Sequence, residues 1–260
     1  MKLRPDTIRQ RDRQILCGLF LSRFDQTALE YLGFESFTEA FNTLGYALQA
    51  RPASVKNYRD ELDPYFPNSR QGWHKRPLRD HCKRIMDDYK EATLAELGDL
   101  IKELLSPVDE LDSLPEVRRV LTRRDEGESS SFAKRLITGR AAERYFVSNY
   151  EQMPEFSGQR LTDTTQWGCG FDFKVSPVEG DSYSAVEVKG LRTRFGQIQL
   201  TQLEHEMAGA LKDRYYLVLV RSFAEDPFHT IVRNPRHCGL KFTRVERKEV
   251  RFSWTANIVE

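Results

Sequence analysis

The sequence predicts an α+β protein, with an all-helical first part and a second part that mixes helices with short strands. Three observations carry the prediction. Up to about residue 120 the apolar residues recur at three- and four-residue intervals, as on one face of a helix, and Gly and Pro fall between the blocks. Beyond it, short alternating or β-rich runs follow one another, punctuated by Gly, Pro, Asp and Ser. Between the two, residues 123–131 read R-R-D-E-G-E-S-S-S and hold no apolar side chain, the composition of a linker. The chain is thereby divided into a helical domain over 1–124 and a second domain over 125–260.

In the first part Phe20, Phe24, Leu29, Leu32, Phe34, Phe37, Phe41 and Leu44 carry the helical spacing. A helix over 37–49, the connection Ala50-Arg51-Pro52-Ala53 and a second helix capped by Ser54 make a helix-turn-helix candidate. The second helix offers Lys56, Asn57 and Arg59 near its start, side chains able to contact base edges or phosphates in a major groove. The alternative is a solvated helix in a bundle. Residues 68–84 then carry Arg70, Lys75, Arg76, Arg79, Lys83 and Arg84 against Asp80 alone, with Trp73, His74 and His81 interleaved. That density predicts a phosphate-contacting surface; the two histidines have no acid or Cys at ligand spacing, which disfavours a metal. Further helices are expected to start near Pro77 and Thr93.

In the second part the spacing predicts a helix over about 132–150. At 100° per residue Glu143 falls within the arc of Phe132, Leu136, Phe146, Val147 and Tyr150. Burying a lone carboxylate costs several kcal/mol, so it calls for a cation, a metal or a hydrogen-bond network, an arginine-paired structural Glu being the plainer alternative. Gly139, one turn earlier, would let this helix approach a sheet closely. Strands are predicted near 171–175, 184–189, 197–200 and 215–221. A helix over about 202–211 opens with the capping box Thr201-x-x-Glu204. A second basic concentration at 233–251 ends in an alternating stretch, 247–252, that fits an exposed or edge strand.

Forty Lys+Arg against 39 Asp+Glu leave a net charge of +1, which excludes a uniformly basic nucleic-acid coat and an acidic solvating tail. No apolar run approaches the ~18 residues of a spanning helix, so no membrane association is expected. Cys17, Cys82, Cys169 and Cys238 lie far apart with no C-x-x-C pair, which predicts reduced thiols rather than disulfides or structural zinc, and a cytoplasmic protein.

The informative chemistry sits on two strands, Gly170-Phe171-Asp172-Phe173-Lys174-Val175 and Ser184-Ala185-Val186-Glu187-Val188-Lys189-Gly190. Alternation puts Phe171, Phe173, Val175, Val186 and Val188 on a buried face and leaves Asp172, Glu187 and Lys189 together on the other. The connection over 176–182 suits an antiparallel hairpin loop. Two carboxylates that close can hold a hard divalent cation, which also offsets their repulsion. Acid-x-Lys occurs at Asp88, Asp172, Glu187 and Glu246, and Glu187-Val188-Lys189 alone has an apolar strand before it, a Gly after it and an acid-bearing strand upstream.

At these residues the sequence resembles the PD-(D/E)xK nuclease superfamily, which includes many type II restriction endonucleases. G-x-G-F-D-F, then V-E-V-K-G, then Ile198-Gln199-Leu200-Thr201 with Glu204, then Arg214-Tyr215-Tyr216-Leu217-Val218-Leu219-Val220 looks like the branch related to Mrr nucleases and to the C-terminal domain of Nov-type proteins. The resemblance covers roughly 132–235, and Phe171 stands where the superfamily customarily has Pro.

The resemblance implies a restriction-endonuclease-like α/β domain with a central mixed sheet. It makes Asp172 and Glu187 Mg²⁺ ligands, with Mn²⁺ able to stand in and the Val188 carbonyl a further ligand. Lys189 would orient or help deprotonate the attacking water, Glu143 would support a second metal through water, and Gln199 would assist. Arg192 and Arg194 would reach phosphates outside the centre. The function implied is a Mg²⁺-dependent endonuclease of restriction type, cutting duplex DNA as a homodimer, with a cognate DNA methyltransferase as its companion. The alternatives are a DNA-binding regulator on an inactive nuclease fold and a repair-type nuclease.

Overall fold

A computed structural model describes residues 8–73, 75–105, 129–246 and 256, with 129–133 traced by backbone alone. Among the described residues the first half holds six α-helices: α1 (Gln10–Arg23), α2 (Asp25–Leu32), α3 (Phe37–Ala47), α4 (Pro52–Leu62), α5 (Asp80–Tyr89) and α6 (Leu94–Leu105). The second half runs α7 (Ser129–Asn149), β1 (Arg160–Asp163), β2 (Phe173–Ser176), β3 (Ser184–Gly190), α8 (Gln202–Leu211), β4 (Tyr215–Arg221) and β5 (Phe228–Arg233). The chain is thus α+β, with N-terminal helices and a five-stranded mixed sheet. The boundary at 124/125, His74 and the stretch 247–252 lie outside the described residues.

Apolar spacing and caps explain the helices. α1 buries Ile15, Leu16, Leu19 and Phe20, each of which stabilises the fold by roughly 1.5–3 kcal/mol. Gly18 lets α4 lie against α1, because a Cβ there would meet Tyr58 Cβ at 2.7 Å and the Arg59 amide nitrogen at 2.8 Å. Ser36 caps α3 by accepting from the Glu39 N–H, and Thr93 caps α6 by accepting from the Glu96 N–H. The second helix of the candidate pair starts at Pro52, two residues before the expected Ser54 cap. Proline at the first helical positions has its φ preset and no N–H to satisfy, so it nucleates the turn earlier. Residues 77–79 likewise remain outside the helix expected to start near Pro77, and α5 begins at Asp80.

The sheet order is β1-β2-β3-β4-β5, antiparallel except for the parallel pair β3–β4, which α8 connects. The β2–β3 pairing is the antiparallel hairpin that the sequence predicts. The strand expected near 197–200 does not form, and β1, which carries no strong β signal, takes a place in the sheet instead.

Each sheet face packs on a different layer. Phe173, Val175, Val186, Val188, Val218 and Val220 join α7 and the first-half helices in one continuous apolar cluster, whereas Ala185 and Tyr215 meet Ala208 and Leu211 of α8. Phe171 departs from the expected alternation and packs on Tyr183 with that second layer, because the chain bends before β2 starts at Phe173. The close helix approach comes from the strand rather than from Gly139, which has open space around it. A Cβ on Gly190 would sit 2.8 Å from the Thr138 carbonyl oxygen and 3.1 Å from Ala142 Cβ.

The halves are joined by polar contacts. Asn42 of α3 donates to the carbonyls of Phe223 and Glu225, both at 2.9 Å. Arg192 and Lys134 both reach the buried Glu39 carboxylate, at 3.1 and 3.3 Å. Among the described residues no helix is long and apolar enough to cross a membrane, and Cys17, Cys82, Cys169 and Cys238 are free.

Candidate active site

Asp172 lies immediately before β2, opposite Glu187 of β3 if the register Phe173↔Val186 is continued by one residue. Its backbone N–H donates to Val186 at 3.0 Å, and its Oδ2 accepts from the Val188 N–H at 2.9 Å. That side-chain acceptor replaces the ladder partner that β2, starting one residue later, does not supply. Glu187 follows Ala185 on the α8 face and is 3 % exposed. Lys189, two residues on, places Nζ 2.6 Å from Glu187 Oε1 and 2.9 Å from Glu204 Oε2.

Glu204 sits in the first turn of α8, where it also accepts from the Thr201 N–H at 3.0 Å while Thr201 Oγ1 accepts from the Glu204 N–H. In the sequence this acid announces a helix start and belongs to the stretch that carries the resemblance, with no role of its own assigned to it. The capping box was the signal, but nothing in the spacing said that the helix start would lie over Lys189. A cleft of about 150 Å³ opens onto Asp172, Glu187 and Glu204, with Gly168, Cys169 and Gly170 on its wall.

The electrostatics follow from crowding acids out of water. Burial raises the pKa of Asp172, and the charges of Glu143 and Glu204 raise it further, against the lowering effect of the Val188 N–H and Lys189. Burial also raises Glu187, reinforced by Asp172 and opposed by Lys189. For Lys189 burial pulls the pKa down, but Glu187 and Glu204 outweigh it and the net direction is up. The cluster therefore holds more carboxylate than its one ammonium can balance.

Glu143 stands at the flank of α7 rather than at the centre of its buried face. Ile137, Ala141, Ala142, Tyr145 and Phe146 form that face, while Leu136 is 38 % exposed, because α7 is clasped between α3 and the sheet. Burial raises the Glu143 pKa while Arg140, 3.6 Å away, and Arg144 lower it. Gln199 is exposed on the irregular stretch that replaces the expected strand, so the expected supporting position on a sheet face does not exist.

The expected DNA-contacting residues divide sharply. Arg59 is buried between Phe37 and Phe41 and bonded to Asp60, because α4 turns this residue inward against α3. Arg70 bonds to Asp63 at 2.8 Å and to Asp25 at 2.5 Å. Arg79 engages both oxygens of Glu61, and Arg192 bonds to Glu39 and Glu35. These four are paired with carboxylates of the chain itself, and Arg59 alone among them is buried. Lys56, Asn57, Lys75 and Arg76 are exposed, with the Arg76 guanidinium 5.2 Å from the Trp73 ring centre. Arg194 is exposed over the Phe228 ring.

A family model described as "Protein NO VEIN, C-terminal" matches residues 142–232, and this domain is linked to the PD-(D/E)xK nuclease-like superfamily. The match spans Glu143, Asp172, Glu187, Lys189 and Glu204 and is compatible with a nuclease-like or DNA-related function. No curated protein and no solved structure matches the chain.

Proposed function

We propose that the chain is a Mg²⁺-dependent endodeoxyribonuclease of the type II restriction kind, hydrolysing phosphodiester bonds of duplex DNA. The observation that carries this reading is that Asp172 and Glu187 line one cleft in the matched domain, with the Lys189 ammonium 2.6 Å from Glu187.

The donor set fits the ion. Mg²⁺ is held through one or two carboxylates and keeps several waters and substrate phosphate oxygens for the rest of its shell. Two acid side chains, Asp172 and Glu187, suffice for that. The Val188 N–H points towards Asp172, and the N–H and C=O of one strand residue point to the same edge, so the Val188 carbonyl is a candidate third oxygen. Bound there, the ion would polarise the scissile phosphate and lower the pKa of a coordinated water.

The chain's own residues do the remainder. Asp172 is fixed by the Val188 N–H, which leaves its other oxygen for a ligand. Glu187 is held under α8 and excluded from bulk water. The Lys189 ammonium, held beside Glu187 and Glu204, would stabilise charge that develops on phosphate oxygens. Duplex DNA is gripped by Lys56, Asn57, Lys75, Arg76 and Arg194, and two chains related by a two-fold axis present one centre to each antiparallel strand.

Incubation of supercoiled plasmid with the full chain in Mg²⁺, in Mn²⁺ and in chelator tests the reading. Cleavage with either metal, lost in chelator and in Asp172→Ala and Glu187→Ala, is the expected result. Full cleavage by either variant rules the assignment out, and a gel shift without shortening assigns the chain to DNA binding alone.

A further inference from the structure

We propose that Glu204 is the positioning residue for Lys189, clamping its ammonium beside Glu187 through the same carboxylate oxygen that caps α8. This rests on the nuclease reading for its consequence in turnover, but the clamp itself is a property of the metal-free chain.

A lysine ammonium is a point charge with three donors on a flexible four-carbon stem, so its direction must come from its acceptors. Here two donors are engaged, one by Glu187 Oε1 at 2.6 Å and one by Glu204 Oε2 at 2.9 Å, and the Lys189 side chain is 22 % exposed. The acceptors arrive from different elements, β3 and α8, so together they fix Nζ between the strand and the helix over it and leave one donor. Glu187 alone cannot do this, because it is the acid wanted for the cation and stands on the same strand as the lysine. Glu204 Oε2 is itself held, accepting from the Thr201 N–H at 3.0 Å in the capping box. The position of the ammonium is therefore set by the start of α8.

A helix cap and a lysine clamp predict different consequences, and two substitutions separate them. Glu204→Gln keeps size and an oxygen acceptor but removes the charge that holds the ammonium. Thr201→Ala removes the hydroxyl that accepts from the Glu204 N–H and leaves the Glu204–Lys189 contact in place. The first readout needs no metal and no activity: the rate at which an amine-acylating reagent modifies Lys189 in the folded, metal-free full chain, measured by peptide mass spectrometry. Glu204→Gln should label roughly tenfold faster, the factor that corresponds to one charge-assisted hydrogen bond lost. Glu204→Asp should fall between it and the wild type, and Thr201→Ala should label at the wild-type rate while melting at lower temperature. The second readout is plasmid cleavage in Mg²⁺, where Glu204→Gln should lose about 100-fold in kcat with little change in KM, the effect of a misplaced catalytic group.

Labelling of Glu204→Gln at the wild-type rate overturns the proposal, and so does Thr201→Ala matching it in both readouts, which would make Glu204 a helix cap only. If the wild type cleaves nothing, the nuclease reading fails, and the labelling comparison still decides the clamp.

Discussion

In the helical half Arg70, Arg79 and Arg84 each find a carboxylate elsewhere in the chain, Asp63 with Asp25, Glu61 and Asp12 respectively, whereas in the sheet half Asp172, Glu187 and Glu204 gather around Lys189. A run of six bases against one acid in sequence therefore becomes, in three of its six positions, a set of ion pairs in space. Three acids scattered over some thirty residues become a cluster short of positive charge. The difference separates structural from functional charge. A fold neutralises the charges it uses as struts, and a buried charge left poorly balanced marks a place where something else is meant to bind.

The largest effect that could break the comparison lies in the neutralised half. Asp63 is 1 % exposed and accepts from Arg70 and from the Ser22 hydroxyl, so Asp63→Ala strands buried donors and should destabilise by about 3 kcal/mol. Urea unfolding measures it; a loss below about 1 kcal/mol would mean that these arginines are surface charges after all. Gly190→Ala comes next, because the new Cβ lies 2.8 Å from the Thr138 carbonyl oxygen and must push β3 away from α7. A cost of about 2 kcal/mol is expected by the same measurement.

A smaller effect sharpens the other side. The folded-state pKa values of Asp172 and Glu187 are raised, so the stability tied to their protonated forms is fully present below the ordinary carboxylate range and is lost as pH rises through the folded values. The metal-free chain should therefore melt at lower temperature as pH rises from about 5 to 8, and Glu187→Gln should flatten that slope. At pH 8 the Gln variant should melt roughly 2–4 °C above the wild type, the shift that about 1 kcal/mol produces in a chain of this size. Parallel melting curves for the two proteins would show that the acids are not strained. The smallest effect on stability belongs to the exposed bases: Lys75→Ala and Arg76→Ala should leave melting unchanged and each reduce the salt dependence of DNA binding by about one ion.

Much of the fold was legible because it depends on local signals. The α8 capping box, the Thr93 start of α6 and the β2–β3 hairpin each rest on residues within one element or one turn. The placing of Glu187 and Lys189 on one face followed from strand alternation alone. What could not be read depends on residues far apart. Arg59 looked outward until α3 covered it, Arg192 looked like a phosphate contact until Glu39 approached from another helix, and Glu204 looked like a cap until α8 settled over Lys189. The strand expected at 197–200 does not form although its apolar pattern is local, and β1, whose pattern is weak, pairs with β2 at the edge of the sheet.

The central claim is that Asp172 and Glu187 form a divalent-cation site, and calorimetric titration of the metal-free chain with Mn²⁺ and Mg²⁺ tests it most directly. The account predicts saturable binding of at least one ion per chain, abolished in Asp172→Asn and Glu187→Gln and retained in Lys75→Ala. Equal binding by the wild type and both acid variants, or no binding by any of them, would contradict it.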